Sequence, residues 1–385
     1  MILKERRWFD KASTQKIIEI LNSQEGHEAR FVGGCVRDSI IGHPVSDIDI
    51  ATTMPPKQVS DLLQEKQIKV IPTGIQHGTV TALLEGDSFE ITTLREDINT
   101  NGRHAEVAYT NDWKKDASRR DFTMNALYLD QDEKLYDFYD GMLAIENKSI
   151  LFIGNAVERI KEDYLRILRF FRFSSYYGEG SFDGGGVAAC ESEKKGLQTL
   201  SKERIRDEFF KILKAPYLVQ ALSMMHERGI LSEIFPSYQM KGAFVGFCTK
   251  TRQEKDDVIV LLKLLILSDF EPADMLAKRF KLSNKQKQII HQLYLCINDN
   301  EPLFAQLYTF GKEIVVPVLI FKGEEEKLDY CQSWKRPTFP ITAQDLKEKG
   351  VEEGKQLGDM LKKAEKWWLS HDANPTKKEV LAFLF

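Results

Sequence analysis

The chain has no apolar run of about 18 residues, the length a membrane-spanning helix requires, so no transmembrane segment is expected. Cysteine is scarce and scattered. Cys35, Cys190, Cys248, Cys296 and Cys331 form no Cys-x-x-Cys pair, which argues against a zinc site or a disulfide frame and points to reduced thiols in the cytoplasm. The opening stretch, MILKERRWFD, lacks an apolar core followed by small residues, so no signal peptide is expected. No repeat of fixed period is present, which excludes a solenoid. The one glycine-dense segment, GEGSFDGGG at 178–186, follows no strand and lacks a Gly-Lys-Ser/Thr ending; it reads as an inter-helix loop, not a P-loop. Nor does one sign of charge dominate, since 54 Lys and Arg face 58 Asp and Glu for a net charge of −4. A nucleic-acid partner would have to meet local basic surface instead. Two basic runs stand out, Arg159 to Arg172 and Lys202 to Lys214, but acids are interleaved in both and they read as solvated helix faces.

What is present is a globular composition, 42% apolar and 29% charged over 385 residues, enough for two or more structural units. Short β-type runs alternate with turns up to Gly141, with helices expected near 14–22, 57–65 and 114–120. Beyond about residue 155 helical periodicity takes over. The fold class is therefore α+β: a mixed α/β head with a small sheet at 1–141, then an all-helical remainder divided into a neck at 142–214, a body at 215–333 and a tail at 334–385.

The stretch FVGGCVRDSIIGHPVSDIDIA, residues 31–51, concentrates the chemistry. In Asp47-Ile48-Asp49-Ile50-Ala51 acids alternate with apolar residues, as in a half-buried strand, so Asp47 and Asp49 share a face. Two adjacent carboxylates repel unless a proton or a hard divalent cation neutralises them, and oxygen-only ligands favour magnesium over zinc. Upstream, Gly33 and Gly34 let backbone N–H groups approach a ligand, Val36–Ile41 begins a helix ending at Gly42, and Arg37 offers a forked cation suited to phosphate. The set reads as a triphosphate cradle beside a magnesium pair.

This stretch resembles the first signature of the class II CCA-adding enzymes, in the tRNA nucleotidyltransferase and poly(A) polymerase family of the DNA polymerase β-like superfamily. Four further motifs follow in order. Glu90, in EITTLRED, matches a carboxylate that supports the aspartate pair. SRRDFTMNAL resembles the second motif, and its Arg119, Arg120, Asp121 and Asn125 suit triphosphate oxygens and a ribose hydroxyl. YDFYDG at 136–141 is similar to the third, a joint between head and helices. In ERIKEDYLRILRFFRF, Asp163 and Arg166 lie three apart on one expected helix. The carboxylate can accept from the amino group of cytosine or adenine while the guanidinium donates to the neighbouring acceptor, and uracil and guanine present the reverse pattern. The resemblance makes this pair a protein template, with Glu162 and Arg169 in support. KERIRDEFFKIL resembles the fifth motif, a bracing helix to which Arg204, Arg206 and Glu208 are assigned structurally. The polar segment 96–112 is similar to the family's mobile loop, and the glycines and tryptophans of 350–368 to its tRNA-contacting tail.

The resemblance implies an enzyme that adds C, C and A to the 3′ end of tRNA from CTP and ATP, with Asp47 and Asp49 holding two Mg2+ ions and no nucleic-acid template. Rival expectations are a poly(A) polymerase, a CC-adding or A-adding enzyme, and a non-catalytic tRNA-binding protein.

Overall fold

The computed structural model describes residues 3–385 apart from 76, 77, 102, 103, 237 and 239. The chain divides into two compact units, Met1–Pro236 and Ser237–Phe385. The first carries every strand among the described residues: β1 (Ala29–Val32), β2 (Ile48–Thr52), β3 (Lys69–Gly74), β4 (Thr79–Leu84), β5 (Asp87–Thr93), β6 (Arg95–Asn101), β7 (His104–Tyr109), β8 (Leu127–Leu129) and β9 (Leu135–Asp137). Seven form one sheet in the order β3-β4-β5-β2-β1-β8-β9, and β6 and β7 form a separate hairpin. The segment expected as a mobile loop is thus mostly an antiparallel ribbon, with Arg95 opposite Tyr109. The apolar–polar alternation of HAEVAY favours strand, and residues 102 and 103 of its turn lie outside the described residues.

The sheet is covered on both faces because its strands alternate. Phe31, Ile50, Phe89 and Ile91 pack on one side with Val36 and Leu63, while Ala51, Tyr128 and Leu94 pack on the other with Trp113. Each such aromatic or aliphatic burial stabilises the head by about 1.5–3 kcal/mol before entropy is counted. The head's helices are α1 (Ala12–Asn22), α2 (Gly34–Ile41), α3 (Pro56–Glu65), α4 (Trp113–Ser118) and α5 (Gly141–Glu146). α2 stops at Gly42, whose φ of +94° gives the left-handed cap that glycine accepts most readily.

After α5 the unit is helical: α6 (Ala156–Glu162), α7 (Leu165–Tyr177), α8 (Gly184–Glu193) and α9 (Lys202–Leu213). Two expectations change here. The glycine cluster at 184–186 opens α8 rather than lying in a loop, with the Asp183 carboxylate accepting from the Gly186 N–H. The helix expected through 158–173 breaks at Asp163, which is extended at φ −154°, ψ 104°. Its side chain accepts the Leu165 N–H at 3.1 Å, which satisfies an otherwise open donor at the start of α7.

The second unit is all-helical among its described residues. Residues 334–341 run without regular structure, and beyond them Trp368 is buried with Leu346, Leu357 and Val380.

Candidate active site

A cleft of about 800 Å³ in the first unit collects residues from both its sheet and its helices. Strand β2 is central, antiparallel to β1 and parallel to β5, and the parallel register sets Asp49 beside Glu90. Asp47, at the mouth of β2, completes a trio of acids on the cleft wall. Burial, then the Glu90 charge and, to a lesser degree, Asp47, push the Asp49 carboxyl up to about 6 against the opposing pull of Arg120 and Arg37. Such crowding of acids is relieved by a hard cation, so the donor set fits a divalent metal. No group of three or more His, Cys, Asp or Glu among the described residues forms a ready-made metal cage.

The cradle lies beside this trio. Gly33 turns the chain from β1 into α2 at φ +74°, and a Cβ there would sit 3.3 Å from Arg120 Nη1, so the turn needs both the backbone freedom and the space. Arg37, Arg120 and Gly34 line the cleft with it. Arg120 is supported by Asp116, which is 1% exposed and accepts from Tyr128 Oη at 2.7 Å and from both Arg119 and Arg120. Burial works against the Asp116 charge, yet Arg120, Arg119 and the Tyr128 hydroxyl hold its carboxyl down to about 2.

Asp121 and Asn125 reach the cleft already engaged. Asn125 accepts from Arg37 at 2.5 Å and donates to Asp121 at 2.9 Å, and Asp121 accepts from Arg169 Nε at 2.7 Å. Burial alone would raise the Asp121 carboxyl, but Arg169 and the Asn125 amide hold it well below the usual carboxylate range. These two residues therefore join the head to α7, and a ribose hydroxyl would have to share their partners.

At the helical wall, Asp163 and Arg166 both face the cleft without pairing to each other. Asp163 Oδ2 accepts from Arg204 at 2.7 Å while Oδ1 takes the Leu165 N–H, leaving each oxygen a second lone pair. Arg166 donates through Nη1 to Glu162 and to the Arg159 carbonyl, and through Nη2 to the Arg119 carbonyl. Nε and one N–H of Nη2 are left without a partner among the described residues. A base edge would meet an acceptor and a donor, both fixed.

Twelve of the fourteen residues given a role at the site from the sequence line this cleft; Glu162 and Arg119 do not, Glu162 standing behind Arg166. Arg119 is turned away. Its side chain turns to Asp116 at 2.6 Å, and its carbonyl receives Arg159 and Arg166. Sequence reasoning missed Arg172, Phe173 and Lys211 as cleft residues and gave Arg204 only a bracing role. The signal was present in the basic run, because Arg166, Arg169 and Arg172 recur at intervals of three along one face of α7. Buried Glu208 of α9 lies 2.8 Å from Arg172 of α7 and 3.3 Å from Lys211, three residues further along its own helix.

A sheet presenting paired acids beside a glycine turn, opposed by a helical wall, is the architecture of a nucleotidyltransferase. Residues 29–151 match the model of the poly(A) polymerase head domain, and 187–241 that of a probable RNA and SrmB-binding site of polymerase A. The mitochondrial CCA tRNA nucleotidyltransferase 1 of Mus musculus is 34% identical, covering 96% of this chain and 89% of its own. The CCA-adding enzyme of Bacillus cytotoxicus is 36% identical over 73% of this chain and 70% of its own. The chain belongs to the CCA tRNA nucleotidyltransferase family. A crystal structure of the Bacillus stearothermophilus CCA-adding enzyme in complex with CTP shares the fold at a TM-score of 0.81 and 24% identity, covering 97% of this chain and 96% of that one. The Thermotoga maritima CCA-adding enzyme complexed with tRNA superposes with a TM-score of 0.66 at 19% identity, covering 96% and 94% of the two chains.

Proposed function

We propose that this cleft is where the protein, a CCA tRNA nucleotidyltransferase, adds C, C and A to the 3′ end of tRNA from CTP and ATP. The observation that carries the reading is the meeting, in one cleft, of the acids Asp47, Asp49 and Glu90 with the acceptor–donor pair Asp163 and Arg166. In each addition the terminal 3′-oxygen bonds to the α-phosphorus and the α–β phosphoanhydride breaks to release pyrophosphate. Asp47 and Asp49 are the residues that would hold magnesium, with Glu90 beside them. When bound, the ion supplies positive charge to the triphosphate and lowers the pKa of the attacking hydroxyl. Gly33, Gly34, Arg37 and Arg120 cradle the triphosphate, and Arg169 with Asp121 and Asn125 locks the cradle to α7.

Base choice belongs to Asp163 and Arg166. The carboxylate accepts the exocyclic amine of cytosine or adenine, and the free guanidinium N–H groups donate to the adjoining ring acceptor. Uracil and guanine present a carbonyl to Asp163, and leaving buried polar groups mismatched costs about 1–3 kcal/mol. The head carries the reaction, the neck reads the base, and the body and tail hold the tRNA. No helix among the described residues is long and apolar enough to cross a membrane. All five cysteines are free and buried, which suits a reducing compartment such as the cytoplasm, although the mouse and human relatives are mitochondrial by name.

The test is to incubate the protein and magnesium with tRNA lacking its last three nucleotides, supplying CTP, ATP or both, and to sequence the 3′ ends. Two C residues with CTP alone and CCA with both are expected. A stop at CC, A added only to CC-ended tRNA, or a long A tail with ATP alone would each replace this reading with the corresponding rival. No extension at all would favour a binding protein.

A further inference from the structure

Arg37 is held more completely than a solvent-facing phosphate ligand requires. Its side chain is 7% exposed, Nε and Nη2 both donate to Asp38 at 2.9 Å, and Nη1 donates to Asn125 at 2.5 Å. A fourth bond runs from Nη2 to the hydroxyl of Tyr177 at 2.7 Å, 140 residues along the chain. Four of the five N–H groups are thus committed, and one on Nη1 remains for a ligand.

Tyr177 is the last residue of α7, the helix that also carries Arg166, Arg169 and Arg172. Its ring stacks on Phe173 with centroids 5.5 Å apart, and the Arg37 guanidinium carbon lies 4.3 Å from the ring centroid. It does not line the nucleotide cleft. Instead it faces a separate cavity of about 590 Å³ shared with Lys4, Ile40, His43 and Met142. Burial pushes its phenol up to about 12, so the hydroxyl stays neutral and can both accept from Arg37 and donate to Asp38.

We propose that Tyr177 is a positioning residue that aims the free N–H of Arg37 at the triphosphate and thereby ties the base-reading helix α7 to the phosphate cradle of the head. The proposal rests on the reading of Arg37 as a triphosphate ligand. A guanidinium has one planar fork, and fixing one arm with a hydroxyl from α7 determines where the other arm points. Any displacement of α7 relative to α2 then changes the grip on phosphate. Because CTP and ATP carry the same triphosphate, both are affected alike, whereas a change at Asp163 or Arg166 acts on the base.

The test compares Tyr177→Phe, Arg37→Ala and the double variant, measuring KM and kcat for CTP and for ATP on the appropriate tRNA ends, with thermal melting alongside. Tyr177→Phe keeps the ring on Phe173 and removes only the hydroxyl. Loss of one such bond should raise KM for both nucleotides by about three- to tenfold, move kcat less, lower the melting temperature by no more than the few degrees one hydrogen bond is worth, and add nothing to KM in the Arg37→Ala background. An unchanged KM in Tyr177→Phe, or an effect that multiplies with that of Arg37→Ala, overturns the proposal. A role in packing alone would lower the melting temperature without a matched rise in both KM values. If Arg37→Ala itself leaves KM unaltered, the assignment of Arg37 falls first and takes the coupling with it.

Discussion

Arg204 of α9 grips the carboxylate of Asp163 at 2.7 Å across 41 residues of chain, so the acid expected to read the base is oriented by a helix other than its own. Asp163 sits at the break between α6 and α7, where its own chain holds the side chain by one bond, from the Leu165 N–H to Oδ1. Arg204→Ala removes that support and leaves Asp163 held by the Leu165 N–H alone. We expect incorporation of CTP and ATP to fall by about tenfold, roughly the worth of one charge-assisted bond, and misincorporation of UTP and GTP to rise. Deep sequencing of 3′ ends in mixed nucleotide pools measures both. Selectivity equal to that of the unaltered protein would return Arg204 to a bracing role.

Arg166 serves two ends, since it offers N–H groups to the cleft while gripping Glu162 and the carbonyls of Arg159 and Arg119. Arg166→Ala should therefore keep the phosphoryl chemistry but lose discrimination against UTP and GTP, by about 5- to 150-fold for one mismatched buried donor. Unchanged discrimination in single-turnover competition would rule out the template role.

The acids at β2 predict opposite effects on activity and on stability. Asp47→Ala or Asp49→Asn removes a carboxylate from a mutually repelling set, so neither should unfold the head. Both should abolish nucleotide addition while tRNA binding persists. Magnesium should raise the melting temperature of the unaltered protein and lose that effect in Asp49→Asn. Near-normal turnover in either variant would remove the metal assignment.

The parts of this site legible in the sequence are those whose partners lie close along the chain or follow strand periodicity. A spacing of two put Asp47 and Asp49 on one side, and a glycine between a strand and a helix marked the turn at Gly33. The break at Asp163 carries no proline or glycine, and apolar residues keep helical spacing through it. The glycine that makes room is remote: a Cβ at Gly196 would lie 2.0 Å from the ring of Tyr164. Arg204, Tyr177 and Lys211 were unreadable for the same reason, because their roles depend on which residues folding brings beside them. In the ribbon at 95–109 the alternation of HAEVAY reads as strand, while the polar run before it carries no such period.

Asp116 gives a prediction on pH. Its side chain is buried among Tyr128, Arg119 and Arg120, and its carboxyl is lowered from 3.8 to about 2 in the folded state. A depressed folded value means that the ionised acid stabilises the head above the unfolded pKa and that this contribution is lost as pH falls from about 4 towards 2. The shift corresponds to stability on the order of 2 kcal/mol. Asp116→Asn should accordingly melt below the unaltered protein near neutral pH, by roughly 4–8 °C for a unit of this size, and the gap should close as both are taken towards pH 2. Asp116→Ala should be worse, costing about 3–5 kcal/mol, since it strands two arginines and a phenol together. Melting curves of the three proteins from pH 7 downward check this. A gap that stays constant to pH 2 would mean that the charge of Asp116 contributes nothing and that only its shape is needed.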